Sequence, residues 1–415
     1  MFGSIRRIYH ELPDKFWTLV GASFIDRLGG ALIFPFFALY ITQRFGVGMT
    51  EVGTLLLFFS ISSLIGGGIG GALADKYGRK ALIIFSLVMS AASTVLMGLV
   101  DDLHVFYVVA ILVGTLADTG GPAHQAMVAD LLPEEKRSTG FAVLRVSANL
   151  AVTIGPMIGG LLAGINYLYL FIIDAILSTI TAILVYFLLP ETKPETVMDA
   201  HRENEPSLLE TIKGYGIVFK DRIYVAFILI SSLMVLVYAQ MNSTLSVFLR
   251  DYRATPPQYF GYILSMNAFM VVVMQFWISR KLDAKRPFMV MAAGTILYAI
   301  GFAMYGFTYK FWLFLVAMFI ITIGEMMTVP TSQALVASFA PSDMRGRYMA
   351  TYGLCWIIPS AVGPLLAGLV MDNLDPNWIW WGSGILAIIA ALGFYWMHGK
   401  TVDKLVVSIV DETAQ

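Results

Sequence analysis

The residues in this chain that invite chemistry are charges set deep inside apolar runs. Asp26 and Arg27 stand about ten residues into the first run, ~15 Å along a helix and close to its middle. Asp118 lies about fourteen residues into the fourth run, and Glu325 lies equally deep in the tenth. Arg145 falls in the fifth run, while His124 and Gln125 follow Asp118 in the fourth. An Asp, Lys or Arg at the centre of a membrane helix costs at least ~2.5–3.5 kcal/mol, so such positions are the first place to look for function. Desolvation favours the neutral form of a carboxyl, which lets it take up and release a proton near neutral pH. The chemistry this suggests is proton exchange coupled to binding. For Asp26 the alternative is a structural ion pair, with Arg145 as one partner; Asp118 and Glu325 have no cation close by in sequence. Asp174, six residues into the sixth run, reads as a group near the outer interface. His124 and Gln125 either face a cavity or cap packing.

Other chemistries find no support. The chain has no G-x-x-x-x-G-K-[ST] phosphate loop, no Cys/His metal spacing and no G-x-S-x-G nucleophile elbow. This argues against ATP drive, a metal centre and an enzyme. Its single cysteine, Cys355, lies in an apolar run, cannot form an intrachain disulfide and reads as a small core residue. A net charge of −1 gives no electrostatic case for nucleic acid.

These charges need a scaffold, and composition names its class. The 415 residues are 58% hydrophobic and 13% charged, about half the charge of a soluble domain. Apolar runs fall at 16–43, 52–74, 81–100, 104–132, 140–164, 168–189, 223–249, 258–280, 287–308, 311–339, 347–371 and 378–398. Each is long enough for a spanning helix. The expected architecture is therefore an all-α membrane protein with twelve transmembrane helices. The opening MFGSIRRIYHELPDK is basic and amphipathic and leads straight into a full span, so no cleavable signal is expected. The hydrophilic stretch 190–222 divides the spans six and six, and its end, Ser207–Phe219, has the pattern of a surface helix. The expected organisation is a first bundle at 1–189, a linker at 190–222, a second bundle at 223–399 and a tail at 400–415.

Basic residues set the orientation. They gather before the first span, in every second loop (Lys76, Arg79 and Lys80; Lys136 and Arg137; Arg280, Lys281, Lys285 and Arg286; Arg345 and Arg347), in the linker and in the tail. The opposite side has only Arg44, Arg250, Arg253 and Lys310. Both termini and the linker are thus expected to be cytoplasmic.

The two sets of spans also repeat one another. PAHQAMVADLLPEEKRSTGFA at 122–142 aligns without gaps on PTSQALVASFAPSDMRGRYMA at 330–350, an offset of 208 residues. The same offset pairs Gly155-Pro156 with Gly363-Pro364, Gly160 with Gly368, and Asp75 with Asp283. It also sets Glu325 opposite Ala117, so the halves place acids at nearly equivalent depths. Two parallel six-helix bundles related by an axis along the membrane normal are expected.

Two local motifs sharpen this. Gly71-Ala-Leu-Ala-Asp75-Lys76-Tyr-Gly78-Arg79-Lys80 follows the second span, with a degenerate echo at Ser279–Arg286. Its glycines permit a tight turn and close helix approach. Asp75 is placed to meet a helix amino terminus, and the cations can reach a carboxylate at a helix end, for which Asp130 is the candidate. In the fifth span, Gly155-Pro156-x-x-Gly159-Gly160 offers small residues for close packing and a proline that permits a bend. The loop closely resembles the signature of the major facilitator superfamily, and the second motif is similar to that family's antiporter motif, with Ala151 where a leading glycine is usual. The resemblance covers essentially the whole chain and points to the twelve-span drug/proton antiporters, although span four lacks the arginine that many of them carry. Arg145 or Arg27 is left to supply the buried positive charge.

That resemblance implies the superfamily fold, two six-helix pseudo-symmetric bundles, and alternating access about a midplane site. It implies that Gly71, Asp75, Gly78, Arg79 and Asp130 form a latch holding the halves together in the outward-facing state. It implies proton-coupled efflux of small amphipathic or drug-like molecules by a monomer in the cytoplasmic (inner) membrane, driven by the proton gradient with no cofactor. Spans one, four, seven and ten line the family's cavity, which makes Asp26, Arg27, Asp118, His124, Gln125, Arg145, Glu325 and Asn242 the expected coupling and substrate residues. Phe34, Phe36, Phe37 and Tyr40, with Tyr238, Gln240 and Met241, are candidate walls. Rival readings are a proton-coupled importer, a lipid or glycolipid flippase of the same fold, and a non-transporting receptor or scaffold. The orientation is checked with single cysteines at Asn204 and Asp372 in a Cys-free background. In intact cells an impermeant thiol reagent is expected to label position 372 and not 204.

Overall fold

The computed structural model describes Tyr9 and residues 11–193, 216–282, 285–341 and 344–413, and every regular element among them is helical. Twelve helices are long and apolar enough to cross a membrane: Asp14–Phe45, Met49–Tyr77, Arg79–Leu99, Leu103–Leu131, Glu134–Ala163, Leu168–Leu188, Arg222–Ala239, Pro257–Leu282, Pro287–Phe307, Phe311–Phe339, Arg347–Asn373 and Asn377–Lys400, spans one to twelve. Span five begins at Glu134, ahead of the expected 140. Glu134 and Glu135 form its acidic first turn, which favours a helix amino terminus. Asp102 caps span four through Val105 N at 2.9 Å, and Asp221 caps span seven through Ile223 N and Tyr224 N, each at 3.2 Å. Asp283 and residues 207–215 of the expected surface helix lie outside the described residues.

By its contacts the chain divides into two compact units, Met1–His201 with Ser246–Ala268, and Arg202–Leu245 with Phe269–Gln415. The expected boundaries near 189 and 223 fall close to this division, but the segment Ser246–Ala268 packs with the first unit. Arg250 there donates to Leu39 O at 3.1 Å and to Thr42 Oγ1 at 2.9 Å, while Asp251 accepts from its Nε at 2.6 Å.

Prolines interrupt the spans in a legible way. A proline cannot donate to the carbonyl four residues back. Pro122 frees the Asp118 carbonyl, which Gly121 N then reaches at 3.3 Å, and span four breaks into Leu103–Ala117 and Gly120–Leu131. Pro35 likewise sits in a short 3-10 turn, Phe34–Phe36, between Asp14–Ile33 and Phe37–Phe45 of span one. Pro330 holds the repeat position of Pro122, yet span ten runs unbroken from Phe311 to Phe339. The carbonyl that Pro330 frees, Met326 O, accepts from Gln275 Nε2 of span eight at 3.1 Å. The repeat offset puts Gly67, which has no side chain to offer, where Gln275 would be needed in the first half.

Small residues bring helices together within each unit. In the first, a Cβ on Gly66 would lie 2.2 Å from Thr115 O, and one on Gly70 would lie 2.3 Å from Thr119 O, so spans two and four meet backbone to backbone. Gly71, expected to allow close approach, faces open space. In the second unit Gly294 and Gly324 meet in the same way across spans nine and ten. Span six sorts its two faces: Phe171, Asp174, Ser178, Thr181 and Val185 are buried, while Ile172, Ile176, Ile180 and Ile183 form an exposed apolar stripe of the kind that faces lipid. Gly70→Leu forces an overpacked contact and is expected to destabilise the protein by about 1–3 kcal/mol. Gly71→Leu is expected to stay within about 0.5 kcal/mol of wild type. Thermal unfolding in detergent distinguishes the two.

Candidate functional site

The first unit gathers most of the predicted charges. Two cavities, of about 300 Å3 and about 340 Å3, share a wall made of Ser23, Arg27, His124 and Gln125. Asp26 and Asp118 line the first cavity together with Ser86, Ser90 and Thr181, and Arg145 lines the second. Span one contributes Asp26 and Arg27, span four Asp118, His124 and Gln125, and span five Arg145. Asp118 occupies the break in span four, where the helix stops after Ala117, and Ser63 of span two donates to its carboxylate. The unwound turn thereby aims a carboxylate into the cavity. Among the described residues no ion pair engages Asp26, so the structural pair with Arg145 is not formed.

His124 is oriented by a local relay. Ser23 Oγ donates to Leu19 O at 2.7 Å and lies 2.6 Å from His124 Nε2. A hydroxyl has one proton. With that proton on Leu19 O, the imidazole donates from Nε2, and in the neutral ring Nδ1 is the acceptor. Guanidinium, imidazole, carboxylate and hydroxyl groups thus surround a shared polar space, suited to moving protons and holding a charged or polar solute.

The expected aromatic wall of span one is packing instead. Phe36 is fully buried and edge-on to Phe260 at 5.6 Å. Tyr40 stacks near Phe171 at 4.6 Å and donates to Met97 O at 2.9 Å. Phe37 lies 6.0 Å from Phe106, and Phe34 is exposed without lining either cavity. Aromatic residues at this end of span one fill the bundle because its neighbours there are themselves aromatic.

Glu325 belongs to the second unit. Tyr238 Oη donates to Glu325 Oε1 at 3.0 Å, and the Tyr238 ring is flanked by Tyr298 at 5.9 Å and Trp356 at 6.1 Å. Gln240 and Met241 are buried. Gln240 donates to Leu236 O and accepts from Thr244 Oγ1, at 3.1 Å and 2.7 Å, stitching the turn that follows span seven. Asn242 lies in that turn, its N–H reaching Ala239 O at 3.3 Å.

The loop after span two forms a cluster, with one member sequence reasoning missed. Arg79, whose side chain is 12% exposed, lies 3.2 Å from Asp130 and 3.3 Å from Asp75. The carboxylate on the amino terminus of span three belongs to Glu191, not Asp75. Glu191 accepts from Arg79 N at 2.8 Å and Lys80 N at 3.1 Å, the site where free N–H groups and the helix dipole favour an anion. Gly78 is required twice over: its φ is +102°, and a Cβ there would lie 2.4 Å from Glu191. Thr192 donates to Asp130 at 3.1 Å and Lys193 to Lys76 O at 2.9 Å, so the first linker residues are clasped to the loop. The uncapped amino end left by Gly78, which carries no capping side chain, is the signal that could have pointed to a remote cap.

Gly155 and Gly159 of span five let span one approach. A Cβ on either would lie 2.5 Å from an atom of Ala31 or Leu32. Gly160 does the same for Gln258 of span eight, and Pro156 O lies 2.4 Å from where Gly261 would carry a Cβ. The motif is a backbone contact surface on two sides.

A bundle of twelve spanning helices with acids and cations around internal polar cavities defines a multi-pass membrane transporter. The chain belongs to the major facilitator superfamily, whose model matches residues 19–362 and 242–407. It is 28% identical over 390 residues to a Na(+), Li(+), K(+)/H(+) antiporter of Planococcus maritimus, covering 88% of this chain and 91% of that protein. It is 25% identical to the tetracycline resistance protein, class H, of Pasteurella multocida, covering 92% and 96% of the two chains. The nucleoside transporter NupG shares the fold with a TM-score of 0.76 at 14% identity, covering 93% of this chain and 99% of that one.

Removing Arg79 leaves Asp130 poorly satisfied, so Arg79→Gln is expected to cost about 1–3 kcal/mol. Asp75 is largely exposed, and Asp75→Asn is expected to cost under about 1 kcal/mol. Thermal unfolding of the two variants, beside their transport rates, tests this order.

Proposed function

We propose that this protein is a secondary active transporter of the bacterial cytoplasmic membrane that exports a small solute in exchange for protons by alternating access. The convergence of Asp26, Arg27, Asp118, His124, Gln125 and Arg145 on two cavities sharing a wall carries the reading. A carboxyl in a desolvated site favours its neutral form, so it takes a proton when water is excluded and gives it up when the site opens to water. A cationic solute then replaces the proton. Glu325 supplies a third acid, held by Tyr238 in the second unit, and Asn242 is a further candidate substrate residue there. Gly71, Asp75, Gly78, Arg79 and Asp130 serve as the latch, with Arg79 its best-buried charge, and Gly155, Pro156, Gly159 and Gly160 serve as the packing surface of an antiporter. Both termini lie in the cytoplasm, the proton gradient is the energy source, no cofactor is needed, and a single chain is the working unit.

The substrate is a small amphipathic or drug-like cation. A second reading is favoured by the hydroxyls and charges that line the first-unit cavities, where Phe141 is the one aromatic ring among the lining residues: the exported ion is an inorganic monovalent cation. The relative named as a Na(+), Li(+), K(+)/H(+) antiporter supports it.

The experiment is flux in proteoliposomes under an imposed pH gradient, with Na+, K+ and Li+ in one arm and organic cations in the other. Wild-type protein concentrates its substrate. In the triple variant Asp26→Asn, Asp118→Asn, Glu325→Gln, gradient-driven accumulation is expected to fall to the level of protein-free vesicles, while energy-independent exchange persists. A triple variant that still concentrates substrate removes these acids as the coupling site, and a wild type that moves nothing in either arm favours a receptor or scaffold.

A further inference from the structure

The reading above leaves one buried ionisable group unused. Asp174 of span six is only 6% exposed. Its Oδ2 accepts from Thr94 Oγ1 of span three at 3.0 Å. Its Oδ1 lies against the backbone of span one, 2.3 Å from where Gly29 would carry a Cβ, so only glycine admits the carboxyl there. Gly29 follows Asp26 by three residues and shares its side of the helix. Asp174 therefore stands behind the acid that lines the first cavity.

Its surroundings do not favour a charge. Span one carries Asp14, Lys15, Asp26, Arg27 and Arg44, span three Arg79 and Lys80, and span five Glu134, Glu135, Lys136, Arg137 and Arg145. Among the described residues none of these forms an ion pair with Asp174. Lys15 is tied to Leu188 O at the other end of span six, ~21 Å along the helix from Asp174. Asp26, of like sign, stands one helical turn before Gly29, the residue of span one that Asp174 lies against. A buried carboxylate with one hydrogen-bond donor and no cation is costly, and two neighbouring carboxyls resist ionising together.

We propose that Asp174 and Asp26 form a coupled carboxyl pair, in which Asp174 holds a proton behind the cavity and exchanges it with Asp26. The proton moves from the Asp174 carboxyl to the Asp26 carboxylate and on to cavity water; no other bond changes. Asp26 faces solute and Asp174 acts as its reservoir, so a cation arriving at Asp26 alters the proton affinity of a group it never touches. The proposal rests on the proton-coupled reading of the first-unit cavities.

The test is infrared spectroscopy of the full chain in lipid, titrated in pH and read at the carbonyl stretch of protonated carboxylic acids. Wild type is expected to show protonated-carboxyl absorption near neutral pH, of which Asp174→Asn removes one component, the band followed below. Asp26→Asn removes a negative neighbour, so the band's midpoint shifts to lower pH. Thr94→Val removes the donor that favours the carboxylate, so the midpoint shifts to higher pH. These opposed shifts decide the matter even where Asp174→Asn fails to fold, and a purely structural Asp174 predicts neither. Absorption that loses no component in Asp174→Asn, or midpoints unmoved in both other variants, overturns the pair. Wild-type flux under a pH gradient is measured beside the spectra: flux without the band sinks the pair alone, and absence of flux sinks the transport reading on which it rests.

Discussion

A polar group inside an apolar medium must find a partner, and most features of this molecule answer that demand. In hydrocarbon an unpaired carbonyl or N–H costs several kcal/mol. The prolines of the repeat show the consequence. Pro122 and Pro330 each free a carbonyl four residues back. Span ten satisfies its freed carbonyl with Gln275 and stays whole. Span four has Gly67 where such a donor would stand, and it breaks. The break places Asp118 in an unwound turn on a polar cavity. A difference of one side chain on a neighbouring helix thus separates an unbroken span from one that unwinds at its acid.

The same demand arranges the charges. Arg79 is buried against Asp130, and the bare amino end of span three is met by Glu191 from the start of the linker. Asp174 has Thr94. Asp26, Asp118, Arg27 and Arg145 open onto cavities, where water can solvate them. Charges with fixed partners hold elements in place, whereas Asp26 and Asp118 face a cavity. This distinction separates the loop cluster from the proposed coupling acids more clearly than residue type does, since both sets contain Asp.

Much of this was legible before any coordinates. The twelve spans, the internal repeat and the pairing of Arg79 with Asp130 follow from hydropathy, offset and spacing. The expectations that failed concern direction around a helix axis. Phe36 and Tyr40 were candidate cavity walls and are buried packing; Gly71 was a candidate close contact and faces open space, while Gly66 and Gly70 make the contact. Asp174 was read by its depth along span six alone, and the packing adds that its side chain is enclosed. Its helical phase pointed inward, since it shares a face with Ser178 and Thr181 rather than with the isoleucine stripe.

The sequence by itself determined how many times the chain crosses, where along each helix a charge lies, and that the second half echoes the first. Those properties depend on local hydropathy and on a rise per residue that is the same in every helix. Only the tertiary structure decided which neighbour each helical face meets. Glu191 reaches the start of span three across 112 residues of sequence, and Thr94 reaches Asp174 across 80. Partners so distant are set by the packing of small residues against backbone, and no local pattern carries that information.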